Sequence, residues 1–406
     1  MQAPNRYVSV TRTLPIAALL VMMAACSGRY QVEPQASSPP ALSPEVPATN
    51  AASSSFPPSI AAPTPSSSHS LDLPQPKGCG TTLLSGSLVQ FAVPSLSPDG
   101  TTLVFACGSP SDLRICTMRH DGTHNKVIVD TAEHFPDPQW SPAGGAIAIV
   151  QAEARKDPRS VENIYLISPD GQPIARITDD PSSVANAIEE IRWSPDASMI
   201  AFSTGGRIGA EHSDIYMVSA DGSTLRRLTY PPAWHGTPRW SPDGKYIAYV
   251  SVSGDATALV LVDVSDGQLP ERQIPLNMEG EFSWSPTATS VVYASEREEN
   301  RDIYVFNLVE SKEMRLTFDP SLDIEPDWSP DGSRILFRST RGGAHEIYSM
   351  RPDGTGITRE VLNPSSGFLM MPFWSTDSER FYFSRSNRGE GTYELWSSET
   401  SLACRG

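Results

Sequence analysis

Histidine is the side chain best suited to proton transfer or metal binding near neutral pH, and this chain has seven histidines. Four of them, His134, His212, His235 and His345, fall outside the short apolar runs that dominate the sequence. A metal ion or a proton relay needs its residues within a few ångströms of each other. Whole copies of a repeated structural unit separate His134, His235 and His345, so the sequence predicts no metal site and no cofactor, and it favours a role in binding.

The usual catalytic motifs are absent. The sequence contains no Gly-x-Ser-x-Gly, no His-Glu-x-x-His, no phosphate-binding glycine-rich loop and no Cys-x-x-Cys. Each of these motifs positions a specific reactive group, namely a nucleophile, a metal-bound water, a phosphate or a redox thiol pair. We therefore expect a binding protein rather than an enzyme.

A short motif, Trp-Ser-Pro-Asp-Gly, recurs through most of the chain. It is complete at 240–244 and 328–332, and shortened or altered copies occur elsewhere. A near-constant period of this length is typical of solenoids and propellers. Successive copies are 44 to 53 residues apart, and their serines are Ser97, Ser141, Ser194, Ser241, Ser285, Ser329 and Ser375.

Each repeat contains the signals for four short strands. The Ser-Pro-Asp-Gly segment predicts a type I turn, and a short β-branched or aromatic run such as 335–337 follows it. A third strand contains Asp-Ile-Tyr at 214–216 and 302–304, and a fourth contains Arg-Leu-Thr at 227–229 and 315–317. Asp-Gly pairs between the last two strands predict type I′ hairpins; they occur at 121–122, 170–171, 221–222, 266–267 and 353–354.

Four short antiparallel strands in about 45 residues make one blade of a β-propeller. Seven repeats predict an all-β, seven-bladed ring, with six blades and one irregular unit as the alternative. The seventh repeat has a third strand at 393–396 and few residues after it, whereas 81–84 form a strand with no partner nearby. We expect this N-terminal strand to complete the last blade and close the ring, which removes an open sheet edge.

The predicted blade also sorts the loops onto two faces. The turns between the first and second strands and between the third and fourth strands lie on one face. The loops between the second and third strands and the links between blades lie on the other face. The second face is more varied in sequence, and loops on a rigid scaffold commonly bind ligands. We therefore predict that its binding residues include His134, Phe135, Arg155, Arg207, His212, Trp234, His235, Arg341 and His345.

The N-terminus is predicted to lie outside the propeller. Residues 1–25 contain Arg6, Arg12 and an apolar run that ends Met-Ala-Ala before Cys26, which resembles a bacterial lipoprotein signal peptide. The resemblance implies cleavage before Cys26, lipidation of Cys26 and export to the cell envelope. Because Ser27 rather than Asp follows, we expect an anchor in the outer membrane, facing the periplasm or the cell surface.

Residues 26–78 are predicted to form a disordered tether, and 79–406 the propeller. Positions 27–78 contain eleven prolines and twelve serines in 52 residues, which is too little apolar surface to offset the entropy of ordering. Loss of Arg6 and Arg12 with the signal peptide takes the formal charge from −16 to −18. A chain with this negative charge is not expected to bind nucleic acid. We also expect the protein to be a monomer.

Four cysteines remain in the predicted mature chain after Cys26. An even number in an exported protein suggests two disulfides. Cys107 and Cys116 flank the hairpin of the first blade, whereas Cys79 and Cys404 lie at the two ends that ring closure brings together. We therefore predict the pairs Cys107–Cys116 and Cys79–Cys404.

The repeat resembles a known family. Its Trp-Ser-Pro-Asp-Gly turn, Asp-Ile-Tyr strand and Arg-Leu-Thr strand together resemble TolB-like, WD40-like propeller repeats over about 91–404. The resemblance implies the fold strongly and the function weakly, because one propeller serves many functions. TolB carries an α/β domain before its propeller, whereas a Pro/Ser-rich segment stands there in this chain.

The function predicted from these observations is a membrane-anchored envelope lipoprotein. Its propeller would bind an envelope protein or peptide, or a cell-wall component, on the varied face. The alternative is a carbohydrate-active enzyme or carbohydrate-binding module that uses the central channel, since oligogalacturonate lyases use a related propeller with a His-bound metal. The residue before each Trp would then line the channel; these are Gln139, Arg192, Arg239, Ser283, Asp327 and Phe373.

Overall fold

The computed structural model of the protein describes twelve segments of the chain. The predicted signal peptide and tether, and Cys26, Cys79 and Cys404, lie outside them, so the predictions for these parts remain predictions. The described residues are 81–89, 94–109, 112–132, 138–152, 162–179, 187–205, 213–230, 232–254, 256–297, 299–363, 367–386 and 392–401.

In the described segments, twenty-eight strands form seven blades of four antiparallel strands. Strand β1 is Thr81–Val89. Blade 1 consists of β2 (Ser95–Leu96), β3 (Thr102–Ser109), β4 (Asp112–Arg119) and β5 (Lys126–Ala132). Blade 2 consists of β6 (Gln139–Trp140), β7 (Ile147–Ala152), β8 (Glu162–Ile167) and β9 (Pro173–Arg176). Blade 3 consists of β10 (Ala187–Trp193), β11 (Met199–Gly205), β12 (Asp214–Ser219) and β13 (Leu225–Arg227).

The remaining four blades repeat this order. Blade 4 consists of β14 (Trp234–Trp240), β15 (Tyr246–Ser253), β16 (Ala256–Asp263) and β17 (Glu271–Pro275). Blade 5 consists of β18 (Glu279–Trp284), β19 (Ser290–Arg297), β20 (Asn300–Asn307) and β21 (Lys312–Arg315). Blade 6 consists of β22 (Asp323–Trp328), β23 (Ile335–Ser339), β24 (Glu346–Met350) and β25 (Thr358–Val361). Blade 7 consists of β26 (Leu369–Trp374), β27 (Arg380–Ser386), β28 (Thr392–Glu399) and β1.

The core is divided into seven apolar clusters, one between each pair of neighbouring blades. The cluster between blades 7 and 1 contains Leu84, Phe105, Tyr382 and Leu395. Apolar burial between blades is therefore continuous around the ring. The prediction of seven blades rather than six is confirmed.

Strand β1 closes the ring as predicted. It pairs antiparallel with β28, from Thr81 opposite Ser398 to Val89 opposite Thr392. Near its end, Leu88 also pairs with Cys107 on β3 of blade 1. The N-terminal strand thus supplies the fourth strand of the last blade, and the first and last parts of the chain hold each other in place.

The recurring Trp packs between blades, as expected for a large apolar side chain at a fixed place in the repeat. In blades 3, 4 and 7 its indole also joins neighbouring blades by a hydrogen bond to the carbonyl of the residue before the preceding Trp. The Trp193 Nε1 donates to Gln139 O at 3.2 Å, and the Trp374 Nε1 donates to Asp327 O at 3.1 Å. A ligand-binding role for these rings is not needed to explain their recurrence.

The Ser-Pro-Asp-Gly turns are held by their own side chains. The Ser97 hydroxyl donates to Asp99 Oδ1 at 2.6 Å, which lowers the pKa of Asp99 together with hydrogen bonds from Thr101. The fourth residue of each turn has a positive φ, including Gly244 at 72° and Ala288 at 57°. This conformation is costly for residues with a Cβ, which explains the glycine in the motif.

The prediction that the Asp-Gly pairs form type I′ turns is wrong. In blade 2, the Gly171 amide donates to Ser168 O at 2.9 Å, so Pro169 and Asp170 are the central residues and only Gly171 has a positive φ, 90°. These are type I turns followed by a left-handed residue. Glycine is needed here for a second reason, because a Cβ on Gly171 would lie 2.0 Å from Ile128 O of the preceding blade.

A disulfide joins Cys107 on β3 to Cys116 on β4, as predicted, with their Cα atoms 5.9 Å apart. Both side chains lie in the cluster that joins blades 7 and 1. In the described segments, we find no helix with the length and apolar character that a bilayer crossing requires.

The turn geometry generates a stability prediction. Ala288→Gly removes the backbone strain of a left-handed residue that has a Cβ, so it should raise the free energy of unfolding by about 1 kcal/mol. Gly244→Ala introduces the same strain and should lower the free energy of unfolding by about 1 kcal/mol. A Cβ on Gly244 meets only Pro195 Cδ at 3.9 Å, so the loss comes from the backbone conformation and not from crowding. Urea denaturation measures both changes.

The matched control is Gly267→Ala, because a Cβ there meets nothing within 4 Å and its φ is not positive. It should leave stability unchanged or slightly raised. Equal effects of Gly244→Ala and Gly267→Ala would contradict the turn assignment.

Candidate binding face and central channel

The strand order defines two faces of the ring. The turn face carries the Ser-Pro-Asp-Gly turns and the turns between the third and fourth strands. The loop face carries the loops between the second and third strands and the links between blades. Because β1 is the fourth strand of blade 7, its N-terminal end at Thr81 lies at the turn face.

The predicted binding residues fall into two groups. Trp234, His235, Arg341 and His345 belong to described segments, and the structure shows their surroundings. The other five lie outside the described residues and stay predictions; they are His134, Phe135, Arg155, Arg207 and His212.

Trp234 and His235 begin strand β14 rather than standing in a loop. The half-buried indole of Trp234 covers Gly236, where a Cβ would lie 2.1 Å from the ring. His235 is only 7% exposed and meets the Tyr249 ring edge-on at a centroid distance of 5.4 Å. Burial lowers the pKa of His235, so its ring is neutral at pH 7 and lies inside the wall of the propeller.

Arg341 is held by its own blade. Its Nη2 donates to Asp323 Oδ2 at 2.7 Å and its Nε donates to the Ser339 hydroxyl at 2.9 Å. The guanidinium also lies over the rings of Phe337 and Tyr348, 5.2 and 5.1 Å from their centroids. Asp323 is fully buried, so this ion pair shapes the loop face of blade 6.

His345 meets a second arginine of the same blade. Its Nδ1 lies 2.7 Å from Arg338 Nη1, and its ring contacts Phe368 at a centroid distance of 4.9 Å. Glu325 binds Arg338 through both carboxylate oxygens, at 2.5 and 3.0 Å. Glu325 also has a φ of 55°, and Thr237 (53°) and Met371 (49°) adopt the same conformation at the equivalent register shifts of β14 and β26. It therefore belongs to an irregularity that several first strands share.

The Asp-Ile-Tyr and Arg-Leu-Thr motifs are two halves of one network, which sequence reasoning missed. Asp214 accepts hydrogen bonds from Arg227 at 2.7 Å and from Thr229 at 3.1 Å. Blade 5 repeats the arrangement with Asp302, Arg315 and Thr317 at the same distances. The aspartate and arginine are 13 residues apart in both blades, and this shared spacing was the available signal.

This network fixes exposed aromatic rings on the loop face. Arg227 lies 4.7 Å from the centroid of Tyr230, and Arg315 lies 4.8 Å from that of Phe318. Tyr230 is 67% exposed and Phe318 is 71% exposed. Phe368, on the link before β26, is 39% exposed. We call Tyr230, Phe318 and Phe368 the aromatic rim.

Polar side chains connect the first strands of neighbouring blades, which line the central channel. Arg239 of blade 4 binds Glu190 of blade 3 at 2.9 Å and Glu281 of blade 5 at 3.3 Å. The Ser283 hydroxyl of blade 5 donates to Asp327 of blade 6 at 2.9 Å. Three residues that precede a Trp, Arg239, Ser283 and Asp327, therefore join neighbouring blades in the channel wall.

Two carboxyl groups of these first strands have raised pKa values. Burial raises the pKa of Asp327 to about 6. Burial, reinforced by the charges of Glu190 and Glu162, raises the pKa of Glu189 to about 7. The Glu189 side chain is exposed to solvent, so contact with water weakens the effect of burial on its pKa. In the described segments, no three His, Cys, Asp or Glu residues come together as a metal site would require.

A comparison with protein-family models identifies the repeat. The model of the TolB β-propeller domain matches residues 77–271 and 235–402. The chain belongs to the TolB β-propeller domain family. The match extends over the whole described ring, so the TolB-like resemblance of the sequence is confirmed.

Individual relatives of this TolB-family chain are distant. It is 30% identical over 145 residues to the uncharacterized protein Atu1656 of Agrobacterium fabrum, covering 35% of this chain and 44% of that protein. It is 22% identical over 207 residues to the uncharacterized peptidase YuxL of Bacillus subtilis, covering 40% and 30%. The match thus spans less than half the length of either relative.

A solved structure shows the same fold. The β-propeller domain of the Trilobed protease from Pyrococcus furiosus aligns with a TM-score of 0.56 and 13% identity, covering 78% of this chain and 94% of that one. That propeller is described as having an open velcro topology, whereas β1 closes the ring of this TolB-family chain.

The raised pKa of Glu189 generates a pH-dependent prediction. Because its pKa is about 7 in the folded protein and 4.5 ordinarily, folded protein holds this proton more tightly, and stability falls as pH rises between these values. Glu189→Gln should therefore raise the free energy of unfolding at pH 8 by about 1 kcal/mol, a value reduced for contact with water, and should change nothing at pH 4.

Urea denaturation at the two pH values measures this difference. Glu310→Gln, which removes an exposed carboxylate from the turn face, is the control and should have little effect at either pH. A Glu189→Gln protein that is less stable than the wild type at pH 8 would show that the carboxylate is stabilised in the fold.

Proposed function

We propose that this chain is an exported lipoprotein, anchored through Cys26, whose propeller binds an envelope protein or peptide on its loop face. The aromatic rim is the observation that carries the proposal. Binding hot spots are enriched in aromatic residues and arginine, and Tyr230 and Phe318 expose their rings to solvent beside Arg227 and Arg315.

The rim is rigid as well as apolar. Arg227 and Arg315 are held by Asp214 and Asp302, so the guanidinium groups that support the rings have fixed positions. Ordering side chains costs binding free energy, and rings already fixed before binding reduce that cost. The repeated arrangement in blades 3 and 5 offers a partner two similar contacts on one face.

The position of the N-terminal strand supports the anchoring part of the proposal. Strand β1 begins at the turn face, so a tether formed by residues 26–78 joins the ring there. The aromatic rim lies on links at the face opposite Thr81. A partner can therefore reach the rim while the chain is attached to a membrane.

A carbohydrate-active enzyme is the second candidate, and one observation favours it. Glu189 and Asp327 have pKa values near the range in which a carboxyl group can act as a general acid. Against this, Asp327 accepts hydrogen bonds from the Ser283 hydroxyl and from the Trp374 amide at 3.2 Å. Those bonds assign Asp327 to the wall of the ring, and we favour the binding role.

Crosslinking in cells followed by mass spectrometry tests the proposal. We expect the wild-type chain to capture one envelope protein repeatedly, and the double variant Tyr230→Ser, Phe318→Ser to capture at least about tenfold less, as for loss of a hot spot. The control is Val309→Ser, because Val309 is 76% exposed but lies in a turn of the turn face. It should crosslink like the wild type.

Equal capture by the double variant and the wild type would refute binding at the rim. The same purified protein supplies the N-terminal peptide for mass analysis. A chain that begins at an acylated Cys26 supports the anchor, whereas a chain that retains residues 1–25 refutes it.

A further inference from the structure

The loop between β23 and β24 is tied to the neighbouring link by His345 and Asn363. Gly343 N donates to Thr340 O at 2.8 Å to close the loop. The Asn363 side-chain amide donates to His345 O at 3.2 Å and to Gly367 O at 2.6 Å. Residues 340–345, which we call the blade 6 hairpin, therefore share contacts with the link that carries Phe368 of the aromatic rim.

The contact between His345 and Arg338 fixes the protonation state of the imidazole. A guanidinium has only donors, so Nδ1 of His345 must accept the hydrogen bond from Arg338 Nη1 at 2.7 Å. The ring must then be neutral, with its proton on Nε2. Arg338 cannot easily turn away, because Glu325 binds it through Nε and Nη2.

Protonation of His345 would replace this hydrogen bond with a repulsion. Nδ1 would then carry a proton that faces an N–H of Arg338, and two positive groups would stand at hydrogen-bond distance. Glu325 on β22 is the facing carboxylate, and both of its oxygens already bind Arg338. Arg341, on the hairpin itself, is held by Asp323.

We propose that the blade 6 hairpin is an acid-sensitive switch that rearranges the loop face around Phe368 when His345 is protonated. Loss of the Arg338 contact displaces the imidazole, and the imidazole is the surface on which the Phe368 ring packs. The consequence for a bound partner rests on the proposed function: a protein docked on the rim at neutral pH is released on acidification.

The direction of the pH effect follows from the surroundings of the ring. Burial, and next the charge of Arg338, lower the pKa of His345 below its ordinary 6.5. The folded hairpin therefore binds a proton less readily than the free side chain does, and its stability falls as pH drops below that value. Above pH 7 His345 is neutral, and its hydrogen bond with Arg338 holds the hairpin in place.

Two measurements on the full chain test the switch without a partner. Nitrogen NMR of the imidazole at pH 7.5 should show the Nε2–H tautomer for His345. Amide hydrogen exchange, corrected for intrinsic rates, should show that residues 340–346 lose at least about fivefold more protection between pH 7.5 and pH 5 in the wild type than in His345→Asn. Asn retains an acceptor near the Nδ1 position but does not titrate.

The matched control is His120→Asn, because His120 also lies against an arginine, with Nδ1 2.6 Å from Arg380 Nη1, but at the turn face. It should leave the pH response of residues 340–346 unchanged. If His345→Asn does not fold, His345→Gln serves as the second non-titrating variant.

An Nδ1–H tautomer at pH 7.5, or the same pH response in wild type and His345→Asn, would overturn the switch. Failure to capture any partner by crosslinking would refute the proposed function instead and would leave the hairpin result standing. Capture that is lost at pH 5 in the wild type and kept in His345→Asn would support both.

Discussion

Packing between blades is the interaction on which the rest of the structure depends. Each blade contributes one side to each of two apolar clusters, so no blade is complete without both neighbours. A ring built this way must join its first and last blades, and β1 does so by pairing with β28. The buried Glu360 of blade 6 also accepts the Ser401 amide at 2.8 Å, which holds the end of blade 7 to the preceding blade.

Closure of the ring has a functional consequence, because it makes the loop face a rigid platform. The aspartate–arginine networks of blades 3 and 5 use that rigidity to present Tyr230 and Phe318 in fixed positions. Blade 6 differs, since its Arg338 meets a histidine that can gain a charge. If both proposals hold, one face combines a constant contact surface with an element whose order depends on pH.

The repeat made most of the fold predictable from the sequence. The period of the Trp-Ser-Pro-Asp-Gly motif predicts blade number and loop faces, and the short seventh repeat predicts the role of β1. Contacts between distant residues were harder to predict. His235 was assigned to the binding surface because it falls in an element of the loop face, but its burial depends on the register of β14 and on Tyr249. The contact between Arg338 and His345 depends likewise on the hairpin geometry, which the repeat does not specify.

Amide exchange along β28 tests the central claim, ring closure by the N-terminal strand, most directly. Strand β28 is the third strand of blade 7, and it has hydrogen-bonding partners on both sides only if β1 is in place. The structure predicts protection of successive amides of β28 from residue 392 to 398, those directed toward β1 as well as those directed toward β27. Rapid exchange at every second amide of β28 would show an unpaired edge and would contradict the closed ring.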